Sequence, residues 1–280
     1  MATLAALLNR CARLLLRHRA TLRRMLPLQH ELLLRLPEFT LYVRLDDWVI
    51  GARIALRRTY EPHVSAVFRD LVRPAMHVID IGSNIGYYSI QAAVRVGSAG
   101  RVIACEPDPT NNALLARSVA ANQLTNVTLI PCAVADRTTT CAFVIDDSNG
   151  RLVDSATPQA RIVQAVALDP LLAAERVDLI KMDIEGAEGL ALAGMEQMIN
   201  TWRPVIITEF SPGALQRVSH LTPEQFLARL RSLGYNLRVI DHVHGVPSQP
   251  ESDAEIMAHF AATHSEHLDL LAQPGEKPAP

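Results

Sequence analysis

The feature that most constrains this chain runs from Val78 to Tyr88. A short apolar stretch ends in the acid Asp80. A loop holding Gly82 and Gly86 follows, and an amphipathic run begins at once. That is a strand handing over to a helix around a bound nucleotide. Glycine lets backbone approach a ligand, and a helix N-terminus offers unpaired N–H groups. A second strand-like run, Arg101 to Glu106, ends in another acid about 20 residues beyond Gly86. A ribose-binding carboxylate belongs there in βαβ nucleotide sites. The ordered set Asp80, Gly82, Gly86 and Glu106 predicts an adenosine-type cofactor.

The spacing separates the candidate cofactors. Dinucleotide folds place G-x-G-x-x-G directly after the first strand, whereas here the pattern is D-x-G-x-x-x-G. A carboxylate at Asp80 would repel a pyrophosphate. It suits a ligand with a cationic ammonium, such as the methionine part of S-adenosyl-L-methionine (SAM), because a buried carboxylate needs a partner. A tight strand–helix turn without any ligand is the bland alternative, and it leaves the placement of Glu106 unexplained.

From about residue 76 strand-like and helix-like runs alternate. The strands are 76–81, 101–106, 127–132, 177–183, 204–210 and 236–240, and the helices 85–96, 109–122, 187–200 and 222–233. This predicts an α/β fold with a mostly parallel sheet and helices on both faces. Thr222, Pro223 and Gln225 form an N-cap signature, and Tyr60 to Pro62 start a further helix. Segment 40–73 reads as two short strands and a helix. Segment 138–166 breaks the rhythm with β-rich runs at 140–145 and 161–166, an inserted hairpin. Residues 268–272 form a last strand, and 273–280 a frayed tail.

The start of the chain differs. Six arginines precede the first acid, Glu31, and Leu4, Leu7, Leu8, Cys11, Leu14 and Leu15 follow helical spacing. Residues 1–36 therefore read as a basic amphipathic helical extension. It could adhere peripherally to an anionic membrane surface, or pack on the catalytic domain or a partner subunit. Packing is preferred, since such helices usually bury their stripe on protein. In a eukaryotic source an Arg-rich, acid-poor start could instead be a transit peptide. The net charge of −2 gives no case for nucleic acid. No apolar run approaches the roughly 18 residues of a transmembrane helix. Four cysteines make neither a disulfide framework nor a metal set, which suits a reducing cytoplasm. Oligomeric state is open, and a homo-oligomer is compatible with the sequence.

A second constellation lies at Val177 to Glu188. A buried strand ends in Asp183, and Glu185 and Glu188 follow at a turn and helix start. Ligands in open α/β sheets lie beyond the carboxyl ends of the strands. Asp80, Glu106, Asp183 and Glu209 all stand at such ends and can converge on one crevice. The alternative for Glu185 and Glu188 is simple complementation of a helix dipole.

These residues resemble the FkbM family of SAM-dependent methyltransferases. The resemblance rests on Asp80 to Ser89, Glu106 to Asp108, Cys132 to Asp136, Leu168-Asp169, Lys181 to Glu188 and Pro204 to Glu209. It covers roughly residues 60–210, and departs at Ala75, where the family usually has glycine. It implies a Rossmann-like class I methyltransferase sheet of seven strands with an antiparallel last strand, over residues 74–272. It also implies O-methylation of a small molecule, sugar, glycan or natural-product intermediate. Asp80, Gly82, Ser83, Asn84 and Gly86 should then contact the methionine half of SAM, and Glu106 the ribose. Asp108, or Cys132 to Ala135 with Ala133, should flank the adenine. Methyl transfer needs an aligned acceptor oxygen and somewhere for its proton to go. Candidate bases are Asp183 first, then Glu185, Glu209 and the pair His242/His244. No spacing supports a metal bridging Asp183 and Glu209. An NAD-dependent oxidoreductase or epimerase would need G-x-G-x-x-G and a Tyr-x-x-x-Lys pair, and neither is present. A SAM-binding module without catalysis would not need Asp183.

Overall fold

The computed structural model describes residues 31–275, apart from 147–148, 154–157, 173, 242, 244, 247–248 and 264. Almost all of the basic amphipathic extension, and both His242 and His244, lie outside the described residues.

The central sheet follows from the apolar runs. β3 (His77–Ile81), β4 (Arg101–Cys105), β5 (Val127–Ile130), β10 (Leu179–Met182), β11 (Val205–Phe210), β12 (Tyr235–Val239) and β13 (Leu268–Pro274) form one seven-stranded sheet. Its spatial order is β12-β13-β11-β10-β3-β4-β5. The strands are parallel except β13, which lies antiparallel between β11 and β12. This is the class I methyltransferase sheet that the resemblance implies.

Side chains alternate across the sheet with period two. Ile79, Ile81, Ile103, Cys105, Ile180, Met182 and Ile206 enter one apolar core. Val78, Val102, Ala104, Leu179 and Ile207 enter the other. The same parity puts three charged residues, Asp80, Lys181 and Glu209, on the second face. Lys181 is register partner to Asp80 across β10 and β3. The sheet thus carries a buried polar strip at its carboxyl ends, under the segment that precedes β3.

That segment contains β1 (Glu31–Arg35), β2 (Thr40–Arg44), α1 (Gly51–Arg57) and α2 (Pro62–Leu71). Residues 31–35 were expected to continue the helical extension; they are a strand, paired antiparallel with β2. Tertiary contacts override local pattern here. β2 is fixed to α4 (Pro109–Ala121) by Thr40 N–H donating to Asn122 Oδ1 (2.8 Å) and Tyr42 N–H donating to Ser118 Oγ (2.9 Å). Of the two strands expected in 40–73, only β2 forms, and residues 51–57 are helical. α2 starts at Pro62, as expected.

The insertion is larger than a hairpin. β6 (Ala133–Val134), β7 (Thr139–Asp146), β8 (Asn149–Val153) and β9 (Arg161–Val166) make a second sheet of order β6-β9-β7-β8. The expected partners β7 and β9 do pair, and β8 adds a third antiparallel strand. The expected helix 187–200 is two, α6 (Glu188–Gly194) and α7 (Glu196–Trp202), broken at Met195. A Cβ at Gly194 would run into the Ala135 carbonyl, so α6 ends where it presses on backbone. The remaining helices are α3 (Tyr87–Val96), α5 (Leu168–Leu172), α8 (Pro212–Val218), α9 (Pro223–Ser232) and α10 (Asp253–Ala262). The capping box of Thr222 and Gln225 starts α9.

Candidate active site

A pocket of about 320 Å³ opens at the carboxyl ends of β3, β4, β10 and β11. Of the predicted residues, Gly82, Ser83, Asn84, Glu106, Ala133, Asp183, Glu185 and Glu209 line it. Three others stand behind it. Asp80 is buried, and its Oδ2 accepts from Ser89 Oγ at 2.5 Å. Lys181 is a nearby cation that offsets the effect of burial on this carboxyl, and Asp80 Oδ1 has no hydrogen-bond partner among the described residues. Gly86 caps α3 and packs on Leu115. Asp108 caps α4, accepting from the N–H groups of Thr110 and Asn111 at 2.9 Å each. It holds the adenine-side loop from behind, while Ala133 faces the pocket.

The glycine loop is tightly fitted. Gly82 has φ +78°, and a Cβ there would collide with the Asp183 carbonyl. Backbone from β3 and β10 thus meets with no room for a side chain. Glu106 stands at the end of β4 with Oε2 accepting from Asn84 N–H (2.9 Å) and Oε1 from Asp108 N–H (2.8 Å). Burial pushes its carboxyl up to about 7, although both amides favour the charge. Ser83 Oγ is buried and has no hydrogen-bond partner among the described residues.

The acid-rich end is organised by Lys181. Its ammonium is buried and donates to Asp183 Oδ2 at 2.7 Å, 4.9 Å from the centre of the Tyr88 ring. Burial opposes its charge, but Asp183, Glu61 and Asp80 together raise its pKa. Burial also works against the Asp183 charge; Lys181 outweighs it and holds that carboxyl below the usual range. Glu209 is the opposite case: burial and the charge of Asp183 raise it well above the ordinary carboxyl range, and it hydrogen-bonds Asp183. His267 Nδ1 lies 4.0 Å from Glu209 Oε2. Glu61, raised to about 7 by burial, accepts from Tyr88 Oη at 2.9 Å.

Asp183, Glu185 and Glu209 bring ligand atoms within 4.8 Å of one another, close enough to grip a divalent cation. Such an ion would have to compete with Lys181 for Asp183.

Sequence reasoning missed Arg53, Tyr60, Glu61 and His267, which all line this pocket. They come from outside the glycine loop and the Lys181 to Glu188 run, and no local pattern marks them. Lys181 stood within a quoted motif and could have been found from its parity with Asp80. Among the described residues no helix is long and apolar enough to cross a membrane.

The sequence profile of the FkbM methyltransferase domain matches residues 80–237, more than half of the chain. The chain belongs to the FkbM methyltransferase family. A curated relative, methyltransferase sdnD of Sordaria araneosa, is 24% identical over 173 residues, 45% of this chain and 66% of that protein. The FkbM methyltransferase structure from Methylobacillus flagellatus aligns with 16% identity and a TM-score of 0.43, over 79% of this chain and 52% of that one. A SAM-dependent O-methyltransferase from Thermotoga maritima aligns with 14% identity and a TM-score of 0.44, over 82% and 72%. This FkbM domain uses S-adenosyl-L-methionine, and its residues suit that cofactor: a cradle that no side chain could enter at Gly82, a buried carboxylate at the pocket end of β4 in Glu106, and the orphaned Ser83 hydroxyl.

Proposed function

We propose that the protein methylates a hydroxyl oxygen of a small-molecule, sugar or glycan acceptor, with Asp183 receiving the hydroxyl proton. The observation that carries this is the state of Asp183. It stands just past β10, lines the pocket, and is kept ionised by Lys181 at 2.7 Å. SAM supplies an electrophilic methyl group on a positively charged sulfur. A carboxylate beside that methyl accepts the hydrogen bond of an incoming hydroxyl and aims its lone pair. As the new C–O bond forms and the S–C bond breaks, the proton passes to the Asp183 and Glu209 pair. The hydrogen bond from Glu209 supports the Asp183 charge.

The test has two parts. Hydroxylated sugars, glycolipids and natural products are screened for release of S-adenosylhomocysteine (SAH). With an acceptor found, Asp183→Asn should lower turnover by roughly 10²–10⁴ and change SAH affinity only a few-fold. Loss of SAH binding in the variant would make Asp183 a cofactor residue. Full turnover would move the proton acceptor to Glu185 or Glu209.

A further inference from the structure

The pocket wall supplied by α1 carries a cation that the protein itself leaves unused. Arg53 lines the pocket, and among the described residues it makes no hydrogen bond or ion pair. Its Nε is buried without a partner. This is unusual beside so many carboxyl groups, because a guanidinium normally takes one in a two-point grip. The other cations of the pocket are engaged: Lys181 holds Asp183, and Arg151 already has a partner.

Position says which anion Arg53 awaits. The ribose carboxylate Glu106 ends β4, and Ala133 follows β5, so the adenosine part lies over the β4–β5 side. The amino-acid end then extends across β3 toward β10. Arg53 stands at that end. It acts electrostatically on Tyr60, whose ring lies 5.9 Å from that of Tyr87. Tyr87 is the first residue of α3, directly after the glycine loop. An α-carboxylate taken out of water into this pocket requires a counter-charge.

We infer that Arg53 binds the α-carboxylate of the cofactor's methionine moiety, so that the segment before β3 serves as part of the cofactor site. It does not depend on which acceptor is methylated.

Two probes that differ only at this end test it: SAH, which carries the aminocarboxylate, and 5′-methylthioadenosine, which lacks it. Affinities are measured by calorimetry on the full chain and on Arg53→Gln and Arg53→Lys. Arg53→Gln should weaken SAH by about 10- to 100-fold, the loss of a charge-assisted pair. It should leave methylthioadenosine within about two-fold, which also shows that the variant is folded. Arg53→Lys should recover part of the SAH affinity. Equal losses for both probes would make Arg53 a packing residue and overturn the inference. Unchanged SAH affinity, with or without a raised KM for an acidic acceptor, would overturn it too. Failure of the unsubstituted protein to bind SAH would sink the cofactor assignment itself.

Discussion

The ionisation of Glu106 should make cofactor binding depend on pH. Ribose hydroxyls donate hydrogen bonds, so they need Glu106 as a carboxylate. Burial holds the group at about 7 in the empty pocket. About one-tenth is then ionised at pH 6 and nine-tenths at pH 8. SAH affinity should rise about tenfold over that interval, equivalent to ~1.4 kcal/mol. The sign for folding is the reverse. The folded value lies above the ordinary 4.5, so the group's stabilising contribution is complete below that value and fades as pH rises through 7. The protein without cofactor should be less stable at pH 8 than at pH 6, by about 1.4 kcal/mol from this group. Calorimetry with SAH at pH 6, 7 and 8 reads the first effect, and urea denaturation reads the second. Glu106→Gln should flatten the SAH profile. It should cost about 1.5–3 kcal/mol at pH 8 and little at pH 6, where the native group is already protonated. Glu61 is also raised to about 7, so Glu61→Gln is the control and should keep the slope. An SAH affinity that is flat from pH 6 to 8, or a slope that survives in Glu106→Gln, would refute the reasoning.

Two substitutions probe the scaffold. Gly82→Ala forces a side chain into a φ of +78° and against the Asp183 carbonyl; it should lower stability by at least about 2 kcal/mol and abolish SAH binding, and an unchanged melting curve would contradict it. Lys181→Met strips Asp80, Asp183 and Glu61 of their shared cation and should cost about 3–5 kcal/mol in urea denaturation. The loss should be larger at pH 8 than at pH 6. Lys181 itself, raised by its partners, keeps its charge across that range, so the pH effect belongs to the acids it neutralises. An equal loss at both pH values would count against that network.

The parts of this fold legible in sequence were those specified by neighbours in the chain. Short apolar runs located the seven strands, and Thr222 with Gln225 located the start of α9. Strand-end acids located Glu106, Asp183 and Glu209, because parallel strands bring their carboxyl ends to one edge. What escaped was set by contacts between distant segments. Glu31–Arg35 is a strand because β2 and α4 hold it there. The contact of Asp80 Oδ2 with Ser89, nine residues on, and the closeness of Lys181 were not legible either. Arg53, Tyr60 and Glu61 enter the site from a segment whose own pattern speaks only of short strands and a helix.

The placement of β13 governs the order in which this molecule can be completed. β12 touches the rest of the sheet only through β13, which pairs with it on one side and with β11 on the other. Until residues 268–274 emerge from the ribosome, β12 has no strand to lie against and β11 presents an open edge, an invitation to misassociation. The pairing of Ile206 with Ala272 closes a loop of more than sixty residues, an entropically slow step. His267 reaches Glu209 only when that strand is seated.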